Sequence, residues 1–307
     1  MGKRLKIVVI GLPLFAKRIV KDLSSFDKEH KYISLDTYYS KVDKVKYYLH
    51  VRNADIVYSI NGTLTKSGAI DLALKLNKKV IMHWVGTDVL KSTEAFNANN
   101  YIKEYIAKCS HWCEVEWIKE ELKAISINAQ IVNFASFHVL PKELLKPKDF
   151  SVLTYIAQKR SDFYGLKEVV KLAQAYPQVT FNVMGCEYPD LETPNLHFKG
   201  WVNNGGELIE NSTVCLRFTE HDGLSNFILE ALSKGRKTLY NNSFPCVNFC
   251  KDYDALKREL GVIYSSFEEN SLEMNTEGVD FIKKNFNKAF ILSSLIAEFK
   301  NISKIKN

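Results

Sequence analysis

A chain of 307 residues, 46% hydrophobic and 25% charged, is long enough to bury two ordinary cores. No apolar run approaches the roughly 20 residues of a bilayer span, which excludes an integral helical membrane protein. Six cysteines in a chain of this length, with no secretory signal, fit a reducing compartment rather than a disulfide-stapled fold.

The net charge of +7 is unevenly spread. Residues 1–147 carry 23 basic and 15 acidic side chains, and residues 148–307 carry 19 and 20. A basic first half suggests an anionic partner: a membrane surface, a phosphate-bearing acceptor or nucleic acid. A lysine-rich solvated surface explains the same numbers, and no block of five like charges decides between them.

MGKRLKIVVIGLPLF opens with a basic front and an apolar stretch. It lacks a small-residue cleavage site, so KIVVIG (6–11) reads as a buried strand and the chain as cytoplasmic. LFAKRIVKDLSSF (14–26) is amphipathic at helical spacing. YISLD (32–36), DIVYSI (55–60) and KVIMHW (79–84) read as further strands, SGAIDLALKLN (67–77) and AFNANNYIKEYIAKC (95–109) as helices. WIKEELKAISI (117–127) is a predicted helix, followed by the strand QIVNF (130–134). Alternating helices and apolar strands predict a parallel sheet covered on both faces.

PKELLKPKDF (141–150), with two prolines, reads as a linker, after which the pattern restarts. SVLTYIA (151–157) is a strand, YGLKEVVKLAQAYP (164–177) a helix and VTFNVMG (179–185) a strand. LHFKGWV (196–202), VCLRFT (214–219) and KTLYN (237–241) complete the second set of strands. The expected fold is α/β: two doubly wound Rossmann-like domains facing across a cleft, 1–147 and 148–285. A final helix within 286–307 is expected to pack back on the first domain. Ligands in such sheets sit beyond the carboxyl ends of the strands.

The stretch DGLSNFILEALSKGRK (222–237) carries the most chemistry. Asp222 and Glu230 are carboxylates eight positions apart, flanking a helix start that Ser225 or Asn226 caps. Gly235 ends the helix before the next strand. A helix N-terminus holds anionic or hydroxyl-rich ligands through backbone N–H groups, which suits a sugar nucleotide. A plain capped helix with an exposed Glu is the alternative.

FNVMG, NLHFKGWV and VCLRFTEHDGLSNFILEALSKGRKTLY together resemble the donor-binding domain of GT-B glycosyltransferases of the family-4 type. DIVYSINGTLTKSGAIDLALKLNKKVIMHWVGTDVL resembles their acceptor domain, and the likeness runs from the first strand to about residue 242. It implies that Glu230 contacts the ribose hydroxyls. Asp222 stands where the family has a Glu facing the donor sugar, with an arm about one methylene shorter. Gly223, Leu224 and Ser225 would bring backbone N–H groups to the sugar and diphosphate. By the same likeness His83, before Gly86 and Asp88, would orient a hydroxyl of the donor sugar. A His satisfied in the core is the other reading. Asp88 either holds a neighbouring turn or faces the acceptor.

The family's usual Arg and Lys for phosphate are absent, since Gln158 and Phe163 or Tyr164 stand there. Lys159, Arg160 and Arg217 are the substitutes, each with a surface cation as its alternative. Gly11 matches a loop approaching the donor phosphate, or is only a tight turn. Trp201 either stacks on the base or packs between domains. Cys109 and Cys113, like Cys246 and Cys250, have i,i+4 spacing, but it fits no usual zinc pattern, and no metal is expected. No cofactor is expected either, and no Asp-x-Asp pair follows a predicted strand.

The resemblance implies a retaining, metal-independent glycosyltransferase of hexosyltransferase type, in polysaccharide or other glycan biosynthesis. It would take a UDP- or GDP-linked donor, and Arg160, Arg217 and helix N-termini would neutralise the leaving diphosphate. Its acceptor would be a sugar, a lipid-linked or another anionic molecule at the basic first domain, with nucleic acid left open and peripheral contact with the inner membrane face. A sugar-nucleotide epimerase and a non-catalytic nucleotide-sugar binder remain as alternatives.

Overall fold

The computed structural model describes residues 3–134 and 143–304, in two compact units. The first unit is formed by residues 1–135 and 288–307, the second by 136–287.

The first unit runs β1 (Lys6–Gly11), α1 (Pro13–Phe26), β2 (Lys31–Ser34), α2 (Lys41–Arg52), β3 (Ile56–Ile60) and α3 (Gly68–Lys75). It continues through β4 (Lys79–Trp84), α4 (Thr87–Asn97), α5 (Lys103–Lys108), β5 (Ser110–Cys113), α6 (Glu116–Ala124) and β6 (Ala129–Ile131). The strands form a parallel sheet in the order β2-β1-β3-β4-β5-β6. β3 is buried at every position, as expected of a strand covered on both faces.

The second unit runs β7 (Ser151–Tyr155), α7 (Leu166–Ala175), β8 (Thr180–Met184), β9 (Leu196–Phe198), α8 (Gly205–Glu210) and β10 (Val214–Arg217). Then follow α9 (Asn226–Ser233), β11 (Lys237–Tyr240), β12 (Asn248–Phe249), α10 (Tyr253–Glu268) and α11 (Thr276–Asn285). Its sheet is also parallel, in the order β12-β11-β10-β7-β8-β9. That is the doubly wound order in which the first strand of the unit is central and the chain reverses direction beside it.

The last helix, α12 (Lys288–Lys304), belongs to the first unit. Phe299 is wholly buried against Tyr32, Tyr58 and Trp112, and Lys288 Nζ lies 2.8 Å from Asp22.

Three local expectations need correcting. The helix predicted over 95–109 is two helices, broken at 98–102 where Asn99 turns left-handed at φ +51°. Asn tolerates that region, and the N–H of Asn100 closes the turn on Ala95 O. α4 starts eight residues earlier than predicted, because Asp88 in its first turn accepts from the N–H groups of Val85, Gly86 and Val89. Cys109 and Cys113 do not share a helix face, since SHWC is the strand β5.

Candidate functional site

Both sheets reverse chain direction beside their first strand, so each unit has a crevice at the carboxyl ends of a particular strand pair. The pair is β1 and β3 in the first unit, β7 and β10 in the second. The residues predicted from sequence lie in or after the strands of these two sheets.

In the second unit, β10 ends at Arg217 and the chain turns through 218–225 into α9. This turn is held on both sides. Asn241, just past β11, donates Nδ2 to Thr219 O at 2.7 Å and accepts from Thr219 N at 3.2 Å. Glu220 N donates to Phe163 O, and the backbone of Phe218 lies so near Gly165 that a Cβ there would sit 2.2 Å from Phe218 O. Gly165, at φ +75°, is the residue type this approach requires. Ser225 then caps α9 by accepting from Ile228 N at 3.4 Å. Gly223 is buried and Leu224 half-buried on this turn.

Arg217 and Asp222 meet: Nε donates to Asp222 Oδ2 at 2.8 Å and Nη1 to Tyr155 O at 3.3 Å. The guanidinium also lies 4.7 Å from the Tyr164 ring centre. Burial works against its charge, but the Asp222 carboxylate, with Tyr240 and Tyr164 beside it, raises its pKa on balance. Two donors of Arg217 are thus committed inside the protein, and Asp222 is an ion-pair partner rather than an isolated carboxylate.

Lys159 and Arg160 are exposed on the short 3-10 turn Gln158–Arg160 that follows β7, with Arg160 3.8 Å over the Phe163 ring. Trp201 is 76% exposed, ahead of α8. Glu230 is half-buried in α9 and reaches α8, where a Cβ on Gly206 would lie 2.9 Å from Glu230 Oε1. Lys159, Arg160, Trp201, Arg217, Asp222 and Glu230 therefore all belong to segments near the carboxyl ends of one sheet's strands.

The first unit corrects two expectations. His83 is wholly buried, with Nδ1 2.7 Å from Tyr58 Oη and its ring edge-on to Phe134 and Trp112. Burial lowers its pKa to about 3. A ring so enclosed cannot itself orient a sugar hydroxyl, so the catalytic role expected of His83 becomes a packing role. Gly11, at φ +101°, faces no open loop either: a Cβ there would sit 2.1 Å from Ile60 O, which accepts from Leu12 N at 2.8 Å. It is the tight-turn residue that lets β1 and β3 end side by side.

Asp88 joins the loops after β3 and β4. Besides its own loop, it accepts from Gly62 N at 2.7 Å. Burial raises its carboxyl to about 6, while the N–H groups of Gly62, Val85 and Gly86 pull it down.

Beside these loops lies a cavity of about 850 Å³ lined by Leu12, Tyr38, Tyr39, Lys44, Tyr48, Asn61, Lys66 and Lys91 among others. Sequence reasoning missed its tyrosines and lysines, which come from four separate segments. Their trace in the sequence was the uneven charge.

An Asp-x-Asp pair does follow a strand, at Asp252 and Asp254, three residues past β12. Asp252 is occupied in capping α10, accepting from Ala255 N at 2.8 Å. Among the described residues no cluster of three His, Cys, Asp or Glu groups could hold a metal ion, and no helix is long and apolar enough to cross a membrane.

The buried imidazoles carry a pH prediction. Burial also lowers His111 to about 4, and Trp84 Nε1 donates to its Nδ1 at 3.2 Å. Both folded values lie below the ordinary 6.5, so the unfolded chain takes up these protons first. Their stability is full above pH 6.5 and is lost as pH falls toward 4. Asp88 opposes them: its folded value of about 6 lies above 3.8, so its penalty is relieved over the same range. The net of two protons against one is a loss of about 1.4 kcal/mol per unit between pH 6 and 4.5. Urea unfolding across that window should show it; a flat profile would mean the imidazoles protonate within the folded protein.

No family model and no curated protein matches the sequence. Solved structures do match. Sucrose-phosphate synthase from Thermosynechococcus elongatus superposes with a TM-score of 0.71 at 11% identity, covering 97% of this chain and 99% of that one. Anabaena Alr3699/HepE, in complex with UDP and glucose, gives 0.67 at 11% identity over 97% and 100% of the two chains. The lipopolysaccharide outer core galactosyltransferase WaaB gives 0.62 at 15% identity over 97% and 100%. The likeness shows the fold: two Rossmann-like α/β units in series, as in GT-B proteins.

Proposed function

We propose that this GT-B-fold chain is a glycosyltransferase that moves a sugar from a nucleotide sugar to a hydroxyl acceptor. The observation that carries the reading is the pinned 218–225 turn leading into α9, with Glu230 against α8, beside the central strand pair of a doubly wound sheet. A rigid turn at a helix N-terminus offers N–H groups to a diphosphate, and a carboxylate five residues into the helix suits a vicinal diol. Alr3699/HepE, with UDP and glucose, and the S. aureus TarM variant with UDP bound support a UDP-linked donor over a GDP-linked one.

In this reading Glu230 binds the ribose and Trp201 offers a face to the base. The N–H groups around Gly223 and Leu224 take the sugar and diphosphate, and Lys159 and Arg160 supply cationic charge. Arg217 acts through Asp222 by fixing the turn. The bond from the anomeric carbon to the diphosphate oxygen breaks, one to the acceptor oxygen forms, and the acceptor's proton leaves with the diphosphate. Retention and independence of metal follow the family resemblance, as does a role in glycan biosynthesis. The tyrosine- and lysine-lined cavity of the first unit would take the acceptor, with Lys44, Lys66 and Lys91 selecting an anionic one.

Glu230→Ala is expected to weaken UDP or UDP-sugar binding roughly ten- to a hundredfold, the loss of one or two charge-assisted hydrogen bonds, with little change in melting temperature. Calorimetry on both proteins checks it, and unchanged affinity removes Glu230 from the site. One observation favours a non-catalytic nucleotide-sugar binder: Asp222 is engaged by Arg217. Donor binding without sugar transfer or hydrolysis across a broad acceptor panel would establish that alternative.

A further inference from the structure

We propose that Asn61 is a specificity-determining residue of the large cavity in the first unit, where its amide and the Tyr38 hydroxyl read two neighbouring hydroxyls of a sugar ring. Its backbone is the first sign. Among the described residues six other than glycine have positive φ. Five of them lie between +51° and +65°, in the ordinary left-handed region, and Asn61 stands apart at +122°. A side chain is strained there, and such a conformation persists only where the surroundings fix it. Here they do. The N–H of Asn61 donates to His83 O at 3.0 Å and so extends the pairing of β3 with β4 by one residue. Ser59 Oγ donates to Asn61 O at 2.9 Å, and the next N–H, of Gly62, donates to Asp88 Oδ2 at 2.7 Å. Gly62 in turn lies against the Trp84 indole, which a Cβ would approach to 2.2 Å.

Glycine takes such a backbone far more readily, so the path of the chain alone does not call for asparagine. The amide is held at the cavity: Nδ2 donates to Tyr38 Oη at 3.2 Å and to Gly62 O at 3.1 Å, and both Asn61 and Tyr38 line it. Gly62 O can only accept, so the amide atom facing it is the nitrogen. No described residue donates to the other amide atom, Oδ1. Tyr38 Oη, in accepting from Asn61, keeps its own proton for another partner, and burial raises its pKa, so that proton stays in place at neutral pH. An acceptor and an O–H donor without partners of their own therefore stand side by side. Adjacent sugar hydroxyls, each able to donate and to accept, match that pair, whereas an anion would meet the lone pairs of Oδ1. Tyr39, 82% exposed and edge-on to Tyr38, adds an aromatic face to the same lining. That the sugar is the acceptor rests on the proposed function; recognition of its paired hydroxyls does not.

Ligand-observed NMR titration of the full chain tests it, with the methyl glycosides of glucose, galactose and mannose and their monodeoxy analogues as probes. Asn61→Gly is expected to raise the melting temperature by about 2–4 °C, because relief of strain exceeds the freedom gained by the unfolded chain. The same variant should bind the best glycoside of the panel about five- to thirtyfold more weakly, the loss of one or two neutral hydrogen bonds. Asn61→Ala keeps the strain and loses the amide, so it should bind as weakly and melt no higher than wild type. The monodeoxy glycoside that costs wild type most should bind wild type and N61G within about twofold of each other, since its missing hydroxyl is the one the amide reads. Wild type that binds none of the glycosides, N61G that binds them undiminished, or the same loss for every deoxy analogue in both proteins would overturn the proposal. So would N61G melting below wild type, which would mean that the fold itself retains the asparagine. UDP affinity, measured by calorimetry on the same proteins, should be unchanged. UDP binding without sugar binding would defeat this proposal alone, and sugar binding that depends on Asn61 without UDP binding would defeat the glycosyltransferase reading alone.

Discussion

Asp222→Ala is expected to cost about 3–5 kcal/mol of stability and to abolish ordered donor binding. The side chains of Arg217 and Asp222 are only 9% and 17% exposed, so removing the carboxylate leaves a guanidinium charge with neither its partner nor enough water. The turn between β10 and α9 would be strained to reach solvent, and that turn presents the proposed phosphate-binding N–H groups. Arg217→Met removes the charge with it. The double variant D222A/R217M should recover much of the stability, because an apolar pair of similar volume avoids the burial penalty. A double-mutant cycle in urea should give a coupling of about 2 kcal/mol or more. Additive losses would mean that the pair does not close the turn.

Gly11→Ala should prevent accumulation of folded protein at 37 °C, a loss of about 4 kcal/mol or more. Two penalties combine. A non-glycine residue at φ +101° is strained wherever it sits, and here the new carbon would lie 2.1 Å from a backbone oxygen of β3. A flexible side chain could move aside, but Ile60 O is backbone of β3, the strand paired with β1, and also accepts from Leu12 N. Relief would mean parting β1 from β3. Soluble yield and circular dichroism check this, and a folded G11A protein would show that the strand ends tolerate separation.

The alternation of strand and helix was legible because parallel strands covered on both faces read as continuous apolar runs. KIVVIG and DIVYSI needed no periodicity argument. The same property hid the fate of His83. In a doubly covered strand both parities are buried, so a two-residue alternation cannot say whether the ring at 83 faces a ligand or Phe134. HWVGTDV was legible as a strand end but not as the start of α4, and Asp88 proved to be the brace of that turn. α2 escaped notice because apolar residues lie on two opposite sides and leave no single stripe. The helix start at Ser225 was legible from its cap, but the Arg217–Asp222 pair was not, since five positions across a turn carry no periodic signature. The cavity lysines were visible only as an excess of charge, because they come from α2, the loop after β3 and α4, which meet there through the sheet order alone.

The placement of α12 has a consequence for the order of synthesis. The core of the first unit is made almost wholly from the first 134 residues, but Phe299, Leu292 and Leu295 complete it from the far end of the chain. On the ribosome the first unit must wait with Tyr32, Tyr58 and Trp112 uncovered while the whole second unit is made. The second unit is contiguous in sequence and can close as soon as residue 287 emerges. At the usual pace of some 5–20 residues per second that interval lasts many seconds. The half of the molecule translated first is therefore the half that finishes folding last.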